Sequence, residues 1–286
     1  MNTRSLSQLK WLFVAVFPLM VSCHKDDSSK KQASPTESAE NNAFAEEQYN
    51  DVSIMVDQAG NGATVNMQAN DRGNSMGQAG VAGASCASFS IDTSNNVHTI
   101  TIDFGSTNCL CIDQRYRRGK IIASYNGPYR DSGTIINISF DNYYVNDNRI
   151  AGSKREINKG HNAAGNPVFS IEVAGEITLA GNGGTITWNS SRMREWKQGW
   201  NTLLNPLDDV YGITGTANGT NADGSAYSIT IKQELVRKLN CFWFESGVLE
   251  LNQDGLPAIT LDYGNTGCDA NATISVLGHD YPIVLK

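Results

Sequence analysis

The sequence predicts an all-β protein, with a single antiparallel β domain that follows a flexible tether and a short helix. Six segments alternate apolar residues with hydroxyl-bearing or charged residues, which is the period of half-buried strands. These segments are 88–91, 99–102, 135–140, 168–173, 185–188 and 228–231. The connections between them are too short to hold the crossover helices that a parallel sheet requires. A sandwich, a strongly curved sheet and a barrel all satisfy this pattern.

The first 22 residues are expected to be a cleaved export signal. Arg4 and Lys10 precede an apolar run that is too short to span a bilayer, and Ser22 supplies a small residue before the cleavage point. Residues 19–23, Leu-Met-Val-Ser-Cys, resemble the lipobox of bacterial lipoproteins, although Met20 stands where leucine is usual. The resemblance implies that Cys23 is acylated and becomes the N-terminus of the mature chain.

Residues 23–42 are predicted to form the flexible tether, because a run of Lys, Asp, Ser, Gln and Glu cannot bury enough apolar surface to fold. Asp26 and Asp27 resemble the export signal that sends Bacteroidota-type lipoproteins to the outer leaflet, which implies an outer-membrane protein displayed at the cell surface. The chain has a net charge of −7, and loss of Arg4 and Lys10 makes it two units more negative. Such a charge gives no electrostatic reason to bind nucleic acid, so the expected membrane contact is the acyl anchor rather than a basic face.

A short helix is predicted between the tether and residue 60, because apolar residues recur at spacings of three and four and share one face. The residues on this face are Ala45, Tyr49, Val52, Val56 and Ala59. Asn41 or Asn42, with Glu46 and Glu47 in the first turn, would mark its start. The aperiodic Gly- and Asn-rich stretch from residue 60 to 83 is expected to be a linker, so the helix and linker together occupy residues 43–83.

The β domain is expected to occupy residues 84–286, and tight hairpin turns divide it. Five dipeptides accept the positive φ that such turns demand. They are Asn126-Gly127, Asn182-Gly183, Asn218-Gly219, Asp223-Gly224 and Asp254-Gly255. Residues 100–109 also match residues 259–268 at six identical positions. The two segments look like a duplicated hairpin, with one copy at each end of a single domain.

A second cysteine precedes each copy of this echo, which predicts the disulfides Cys86–Cys109 and Cys241–Cys268. Each would close a loop of roughly 25 residues and contribute about 3 kcal/mol in the chain-entropy model. Cys111 is then left over and competes with Cys109 for Cys86. A metal site at Cys109 and Cys111 is the alternative, but a C-x-C pair lacks the usual two-residue gap and no second pair lies at ligand spacing.

No sequence motif assigns a catalytic or cofactor site. The chain has no G-x-S-x-G, no H-E-x-x-H, no phosphate loop and no dinucleotide fingerprint, which favours a non-catalytic protein. The paired carboxylates of a glycosidase would have to come from scattered acidic residues, of which Asp103 and Asp262 occupy equivalent places in the echo. Because each precedes an aromatic residue and a glycine, a hydrogen bond to the following turn is the simpler role. The prediction is therefore no metal, no cofactor and no catalytic residue.

The segment from Trp188 to Trp200 is the strongest candidate for a binding surface. If it is extended, Trp188, Arg192, Arg194 and Trp196 share one face, and Trp200 follows them. Flat rings beside guanidinium groups, when exposed, stack on sugar rings or anchor a protein partner. The alternative is that the tryptophans fill the core of the sheet and the arginines pair on its rim.

The whole chain resembles a group of Bacteroidota lipoproteins of unknown function. The resemblance rests on the lipobox-like start, the polar tether and four blocks, 103–105, 141–147, 187–192 and 262–264. It implies a location and an all-β fold but no activity. The sequence therefore favours a non-catalytic surface lipoprotein that binds a ligand, a glycan or an envelope protein. A surface hydrolase acting on glycans and a lipid carrier with an apolar groove are the alternatives.

Overall fold

The structure is a computed structural model, and it describes the predicted helix and most of the β domain. The described residues are 34–69, 87–95, 97–111, 113–128, 130–202, 205–241, 243–265 and 267–285. The predicted export signal, the predicted lipidation site Cys23 and the predicted disulfide partner Cys86 lie outside them. Within the described residues, no helix has the length and apolar character needed to cross a membrane.

One long helix, α1, runs from Pro35 to Ala69. The predicted end of the tether at residue 42 and the predicted end of the helix near residue 60 are therefore both wrong. The end of the predicted tether is helical, and so is the start of the predicted linker. The backbone N–H of Glu37 donates to Ser34 Oγ at 3.1 Å and caps the helix, while Pro35 occupies the first helical position, where a missing N–H leaves no bond unmade. Apolar periodicity misses this start because the first inward-facing residues include polar ones, Ser38 and Asn42.

The described residues after α1 form fourteen strands. They are β1 (Ser88–Asp92), β2 (His98–Asp103), β3 (Cys109–Leu110), β4 (Tyr116–Tyr125), β5 (Ile135–Val145), β6 (Asn148–His161), β7 (Pro167–Thr178), β8 (Thr185–Gln198), β9 (Val210–Thr220), β10 (Ala226–Lys238), β11 (Phe244–Gln253), β12 (Ile259–Asp262), β13 (Asn271–Val276) and β14 (His279–Val284). All six alternating segments of the sequence lie within these strands. The prediction of an all-β domain is confirmed.

A single antiparallel sheet contains all of these strands. Each strand pairs with its neighbour in sequence, except that β2 pairs with β4 and the two-residue β3 adds to β4 off the main path. This up-and-down order follows from the short hairpin connections. Within the described residues the sheet does not close, because β1 and β14 remain as its two edges.

The sheet curls strongly around α1. Strands β4 and β10 are six strand spacings apart, which in a flat sheet would separate them by roughly 29 Å. Both strands nevertheless reach one helical carboxylate, since Arg117 of β4 lies 3.5 Å from Asp51 and Arg237 of β10 lies 3.4 Å from it. The helix therefore lies on the concave face, and the strongly curved sheet is the predicted architecture that the structure shows.

Glycines on the inner face let α1 approach the sheet closely. Trp188 of β8 pairs with Gly175 of β7 and with Gly219 of β9. The ring of Tyr49 stacks on Trp188 with centroids 5.6 Å apart, and its hydroxyl donates to the Ala151 carbonyl at 2.7 Å. A Cβ on Gly175 would lie 2.5 Å from the Tyr49 ring, so the close approach requires glycine at this position.

Four of the predicted turn dipeptides lie between strands, and the fifth does not. The four are Asn126-Gly127, Asn182-Gly183, Asp223-Gly224 and Asp254-Gly255. The prediction of a turn at Asn218-Gly219 is wrong, because both residues lie inside β9 and the φ of Gly219 is not positive. Glycine is needed there for another reason, since a Cβ on Gly219 would lie 2.5 Å from the hydroxyl of Tyr227.

The echoed segments build matching ends of β2 and β12. Asp103 Oδ1 accepts the backbone N–H of Gly105 at 2.8 Å, and Asp262 Oδ1 accepts that of Gly264 at 2.7 Å. Both glycines have positive φ, of 78° and 80°. Each aspartate therefore closes the turn that follows it, which is the simpler of the roles that the sequence suggested.

The cysteines agree with the echo where they are described. The predicted Cys241–Cys268 disulfide is present and joins the β10–β11 connection to the β12–β13 connection. Cys109 is also disulfide-bonded, but Cys86 lies outside the described residues, so this pairing stays a prediction. Cys111 is a free and buried thiol, and burial raises its pKa despite the nearby Arg117.

Candidate functional site

The predicted binding cluster of β8 lies inside the protein, beneath α1. Trp188, Arg192, Arg194 and Trp196 share one face of the strand, and their exposed fractions are only 2, 4, 3 and 1 %. The idea that this face is an exposed surface is therefore wrong. The alternation of an extended strand gives the four side chains a common face, and α1 covers that face. The tryptophans fill the core, as the alternative expected, but the arginines pair inside rather than on the rim.

Two polar contacts join the first half of α1 to β8. The indole Nε1 of Trp188 donates to Asn42 Oδ1 at 2.9 Å. One turn further along the helix, Arg192 binds Glu46 through Nε to Oε1 at 3.0 Å and Nη2 to Oε2 at 2.5 Å. A bidentate pair of this kind constrains orientation as well as distance. Because Arg192 and Glu46 are both buried, this pair fixes the register of α1 on the sheet.

A second ionic cluster lies where Asp57 faces β6 and β8. Arg194 Nη2 lies 3.3 Å from Asp57 and 3.1 Å from Glu156, while Lys154 Nζ lies 3.4 Å from Glu156. The hydroxyl of Ser53 donates to Glu156 at 2.5 Å. Burial raises the pKa of Asp57 to about 7 despite Arg194. Burial opposes ionisation of Glu156 too, but Arg194 and Lys154 outweigh it and lower the pKa of that carboxyl. Asp57 is therefore the member of the cluster that gains or loses a proton near neutral pH.

Three arginines converge on another part of α1. Arg115 binds both Glu47 and Asp51, and its distance to Asp51 is 2.5 Å. Arg117 and Arg237 reach the same Asp51 carboxylate from β4 and β10. Burial, together with the negative charge of Asp51, raises the pKa of Glu47 to about 7 against the effect of Arg115 and Arg237. Ion pairs with arginines of β4 and β10 thus bind the helix to strands on both sides of it.

The helix supplies only acids to these clusters, and the rest of the chain supplies the bases. Residues 35–69 contain six Asp or Glu and no Lys or Arg. The bases that contact the helical carboxylates are Arg115, Arg117, Arg192, Arg194 and Arg237. Such charge complementarity favours one docked position of α1 and penalises others. The helix is therefore an integral part of the core.

A groove of about 380 Å³ opens between α1, the β5–β6 turn and the C-terminal strands. Its apolar lining includes Phe44, Leu179, Trp243, Phe244, Tyr263 and Leu285. Its polar lining includes Glu40, Glu47, Asn146, Asn148 and Arg237. A concave and mostly apolar surface with a few converging polar groups is the usual form of a small-molecule site.

Comparison with known proteins adds no assignment to this groove. No protein-family model, curated protein or solved structure matches this chain. Within the described part of the chain, His, Cys, Asp and Glu side chains form no group of three that could hold a metal ion. The groove is therefore characterised by its own geometry and charge.

The disulfide stiffens one wall of the groove. The backbone N–H of Trp243 donates to the Sγ of Cys241 at 3.4 Å. The ring of Phe244 meets that of Tyr263 at a centroid distance of 5.2 Å. The Cys241–Cys268 bond joins the two connections next to these residues, so it restrains the wall that the three aromatic rings form.

Trp200, the last of the predicted binding residues, lines a smaller cleft of about 190 Å³ together with Trp196, Gln198 and Asn201. The guanidinium of Arg130 lies over its ring at 3.8 Å and donates to its backbone carbonyl at 2.6 Å. Trp200 remains partly exposed. Trp200 is therefore the one member of the predicted cluster that is not fully buried. Its arginine partner comes from the β4–β5 connection rather than from β8.

Several residues of these sites were not singled out by the sequence analysis. Phe44 and Trp243 of the groove follow no periodicity that would mark them, and nothing in the sequence brings them together. The helical carboxylates did carry a signal. Six acids without a single Lys or Arg over residues 35–69 indicate a helix that docks on a basic surface.

Proposed function

We propose that this protein is a membrane-anchored lipoprotein of the cell surface that acts as a non-catalytic binding module and takes a small apolar ligand into its groove. The groove carries this proposal, because it combines an aromatic wall with a polar rim on a cross-linked scaffold. Cys23 would supply the acyl anchor, with the lipobox-like segment before it as support.

The size of the groove favours a small ligand over a protein partner. Small-molecule pockets have volumes of about 300–1,000 Å³, a range that includes this groove. A stable protein interface instead buries about 800 Å² of each partner and needs a broad complementary surface. Phe44, Trp243 and Leu285 line a concavity in which an apolar group the size of a short alkyl chain or one ring could be buried.

The alternatives find less support in the geometry. A lipid carrier needs an open apolar concavity, but α1 lies on the concave face of the sheet, where Tyr49 stacks on Trp188. A glycan hydrolase needs converging carboxylates that substrate can reach. Asp57 and Glu156 do converge, on Arg194, but all three side chains are buried beneath α1. The two carboxylates that line the groove, Glu40 and Glu47, both belong to α1 rather than facing each other across the groove, and Glu47 is paired with Arg115. This arrangement favours binding over hydrolysis.

Titration with a neutral amphiphile tests the binding. We expect octyl glucoside below its micellar concentration to shift the tryptophan emission of the purified protein, and we expect Trp243→Phe to abolish the shift. Leu179→Asp puts a charge in the apolar wall and should weaken binding by roughly tenfold or more. Leu277→Asp, on the 77 % exposed leucine of the β13–β14 turn, is the matched control and should bind like the parent. The proposal fails if the parent does not bind, or if Leu179→Asp binds as tightly as Leu277→Asp while both melt at the parent temperature.

The anchor is tested separately through Cys23. We expect the parent to fractionate with membranes and to carry a lipid mass on an N-terminal peptide that begins at Cys23. Cys23→Ser should release the protein from the membrane fraction without changing its circular dichroism. An unmodified amino end upstream of residue 23, or one beyond it, would contradict the anchoring proposal.

A further inference from the structure

We propose that ordered water occupies a buried polar site between Asp57, Arg130 and Arg194, where it bridges the carboxyl group to the two guanidinium groups. The site lies next to the small cleft that Trp196 and Trp200 line, and it is separate from the apolar groove. The proposal follows from polar side-chain atoms that are buried and have no hydrogen-bond partner in the protein.

Asp57 supplies two hydrogen-bond acceptors that no donor satisfies. Its side chain is almost fully buried, and neither carboxyl oxygen has a hydrogen-bond partner among the described residues. Arg194 Nη2 lies 3.3 Å from Asp57 Oδ2 but donates its hydrogen bond to Glu156. Glu156 accepts a second hydrogen bond from Ser53. Burial acts to raise the pKa of both carboxyls, but only at Glu156 do the neighbouring cations and hydrogen bonds outweigh it.

Two arginines supply donors that no acceptor satisfies. The Nε and Nη2 atoms of Arg130 and the Nε atom of Arg194 are buried and have no hydrogen-bond partner among the residues that the structure describes. Arg194 is in ionic contact with Asp57. Burial lowers the pKa of Arg130 against the effect of Asp57, so this carboxyl lies near the second guanidinium as well. Unpartnered donors and unpartnered acceptors thus lie in the same part of the core.

Contacts at the cleft hold Arg130 in its position. Its guanidinium lies 3.8 Å from the ring of Trp200 and 5.3 Å from that of Trp196, and Nη1 donates to the Trp200 carbonyl at 2.6 Å. The other nearby carboxyl, Asp209, already accepts a hydrogen bond at each of its oxygens. Neither Asp57 nor Asp209 therefore satisfies the remaining donors of Arg130 by direct contact.

A neutral molecule that both donates and accepts hydrogen bonds suits this mixture of groups. A guanidinium group only donates and an ionised carboxylate only accepts, whereas water does both. A cation at this position would be repelled by Arg130 and Arg194, and an anion would be repelled by Glu156 and by ionised Asp57. Buried water molecules make about three hydrogen bonds each, and one carboxyl with two guanidinium groups can supply them. Water therefore satisfies atoms that would otherwise destabilise the fold.

A high-resolution crystal structure of the purified protein tests the site directly. We expect ordered water within about 3.2 Å of a carboxyl oxygen of Asp57 and of an unpartnered nitrogen of Arg130 or Arg194. Direct contact between Asp57 and Arg130 with no water between them would overturn the proposal. A bound ion in the same position would overturn it as well.

NMR spectroscopy tests the same site in solution. In the ¹⁵N-labelled protein, the Nε–H of Arg194 should give cross-peaks to water that have opposite signs in laboratory-frame and rotating-frame Overhauser spectra. This change of sign distinguishes a bound water molecule from proton exchange, which gives the same sign in both. Absence of these cross-peaks from the folded parent protein overturns the proposal.

Two variants of Asp57 show whether its carboxyl holds the water. Asp57→Asn keeps an acceptor oxygen and should retain the cross-peak between Arg194 and water. Asp57→Leu replaces the acceptor by an apolar side chain and should lose the cross-peak. If Asp57→Leu does not fold, Arg130→Met provides the test, because it removes the other donors of the site from a partly exposed position. Retention of the cross-peak in the folded Asp57→Leu and Arg130→Met variants overturns the bridging role.

Discussion

Removal of the charge of Glu46 should destabilise the protein strongly, although Glu46→Gln hardly changes the shape of the side chain. Glu46 and Arg192 are joined by two hydrogen bonds and are almost fully buried. The variant therefore leaves the guanidinium of Arg192 in the core without its counter-ion. Breaking a buried pair in this way costs about 3–5 kcal/mol. Since folded domains have a total stability of about 5–15 kcal/mol, the loss would be a large fraction of the whole.

Urea denaturation followed by tryptophan emission measures this cost, because Trp188 lies in the same site as the pair. Glu37→Gln removes the same charge from an exposed position on the same helix and should change the free energy of unfolding by less than about 0.5 kcal/mol. The double variant Glu46→Met with Arg192→Met replaces the pair by apolar side chains and should regain most of the stability that either single change loses. The reasoning is refuted if Glu46→Gln costs no more than Glu37→Gln, or if the double variant is as unstable as the sum of the two single variants.

Three further predictions concern the core and its cross-link. Burial raises the pKa of Asp57 from its ordinary 3.8 to about 7, so the protonated form stabilises the fold fully below pH 4, and this contribution is lost as the pH rises through 7. Relative to the parent, Asp57→Asn should therefore gain roughly 1–4 kcal/mol of unfolding free energy between pH 5 and pH 8, as measured by urea midpoints at both values. Gly175→Ala puts a Cβ 2.5 Å from the Tyr49 ring and should cost about 1–3 kcal/mol, with a smaller loss in a Tyr49→Ala background. Loss of the Cys241–Cys268 disulfide in the double serine variant should cost about 3–4 kcal/mol, as read from thermal or urea unfolding, and should also weaken octyl glucoside binding.

Each of these three has an outcome that would contradict it. A stability difference between Asp57→Asn and the parent that is the same at pH 5 and pH 8 would mean that Asp57 does not titrate in this range. Equal costs of Gly175→Ala with and without Tyr49 would mean that the ring is not what excludes the methyl group. Parent-like affinity for octyl glucoside in the double serine variant would mean that the cross-link does not hold the groove.

The strands and their turns could be predicted from the sequence because local patterns determine them. An alternating segment such as 168–173 has one face for the core and one for water whatever its neighbours are, and the strand appears where the pattern is. The role of Asp103 and Asp262 is also local, since each carboxylate binds a backbone N–H only two residues away. The turn prediction at Asn218-Gly219 was wrong because Gly219 makes room for the side chain of Tyr227 on the next strand and does not form a turn.

The length of α1 could not be predicted from apolar periodicity, because much of its buried face is polar. Asn42 is an inward-facing residue only because Trp188, 146 residues away, donates to it. Glu46 likewise faces inward because Arg192, also 146 residues away, donates to it. Long-range pairing of this kind produces no pattern in the local sequence. A prediction that uses only the apolar residues of the helix therefore misses its first turns. Ser34, Pro35 and Glu37 did form a local capping pattern that marks the true start.

Whether the tryptophans and arginines of β8 are buried or exposed could not be predicted either, because it also depends on long-range contacts with α1. Alternation placed Trp188, Arg192, Arg194 and Trp196 on one face, and the structure has them there. Which face meets solvent depends on what covers the sheet. The covering element is α1, and its acids identify it only when they are read together with the bases of distant strands.

The division of charge between α1 and the sheet has a consequence for how the chain reaches its native state. Without the helix, guanidinium groups from β4, β8 and β10 would face a shared interior with too few carboxylates to neutralise them, and the curl that brings them together would be opposed by their mutual repulsion. We therefore expect that a fragment beginning at β1 does not fold on its own, which circular dichroism and urea unfolding of the fragment would test. Synthesis proceeds from the amino end, so the acidic helix is made before the first basic strand.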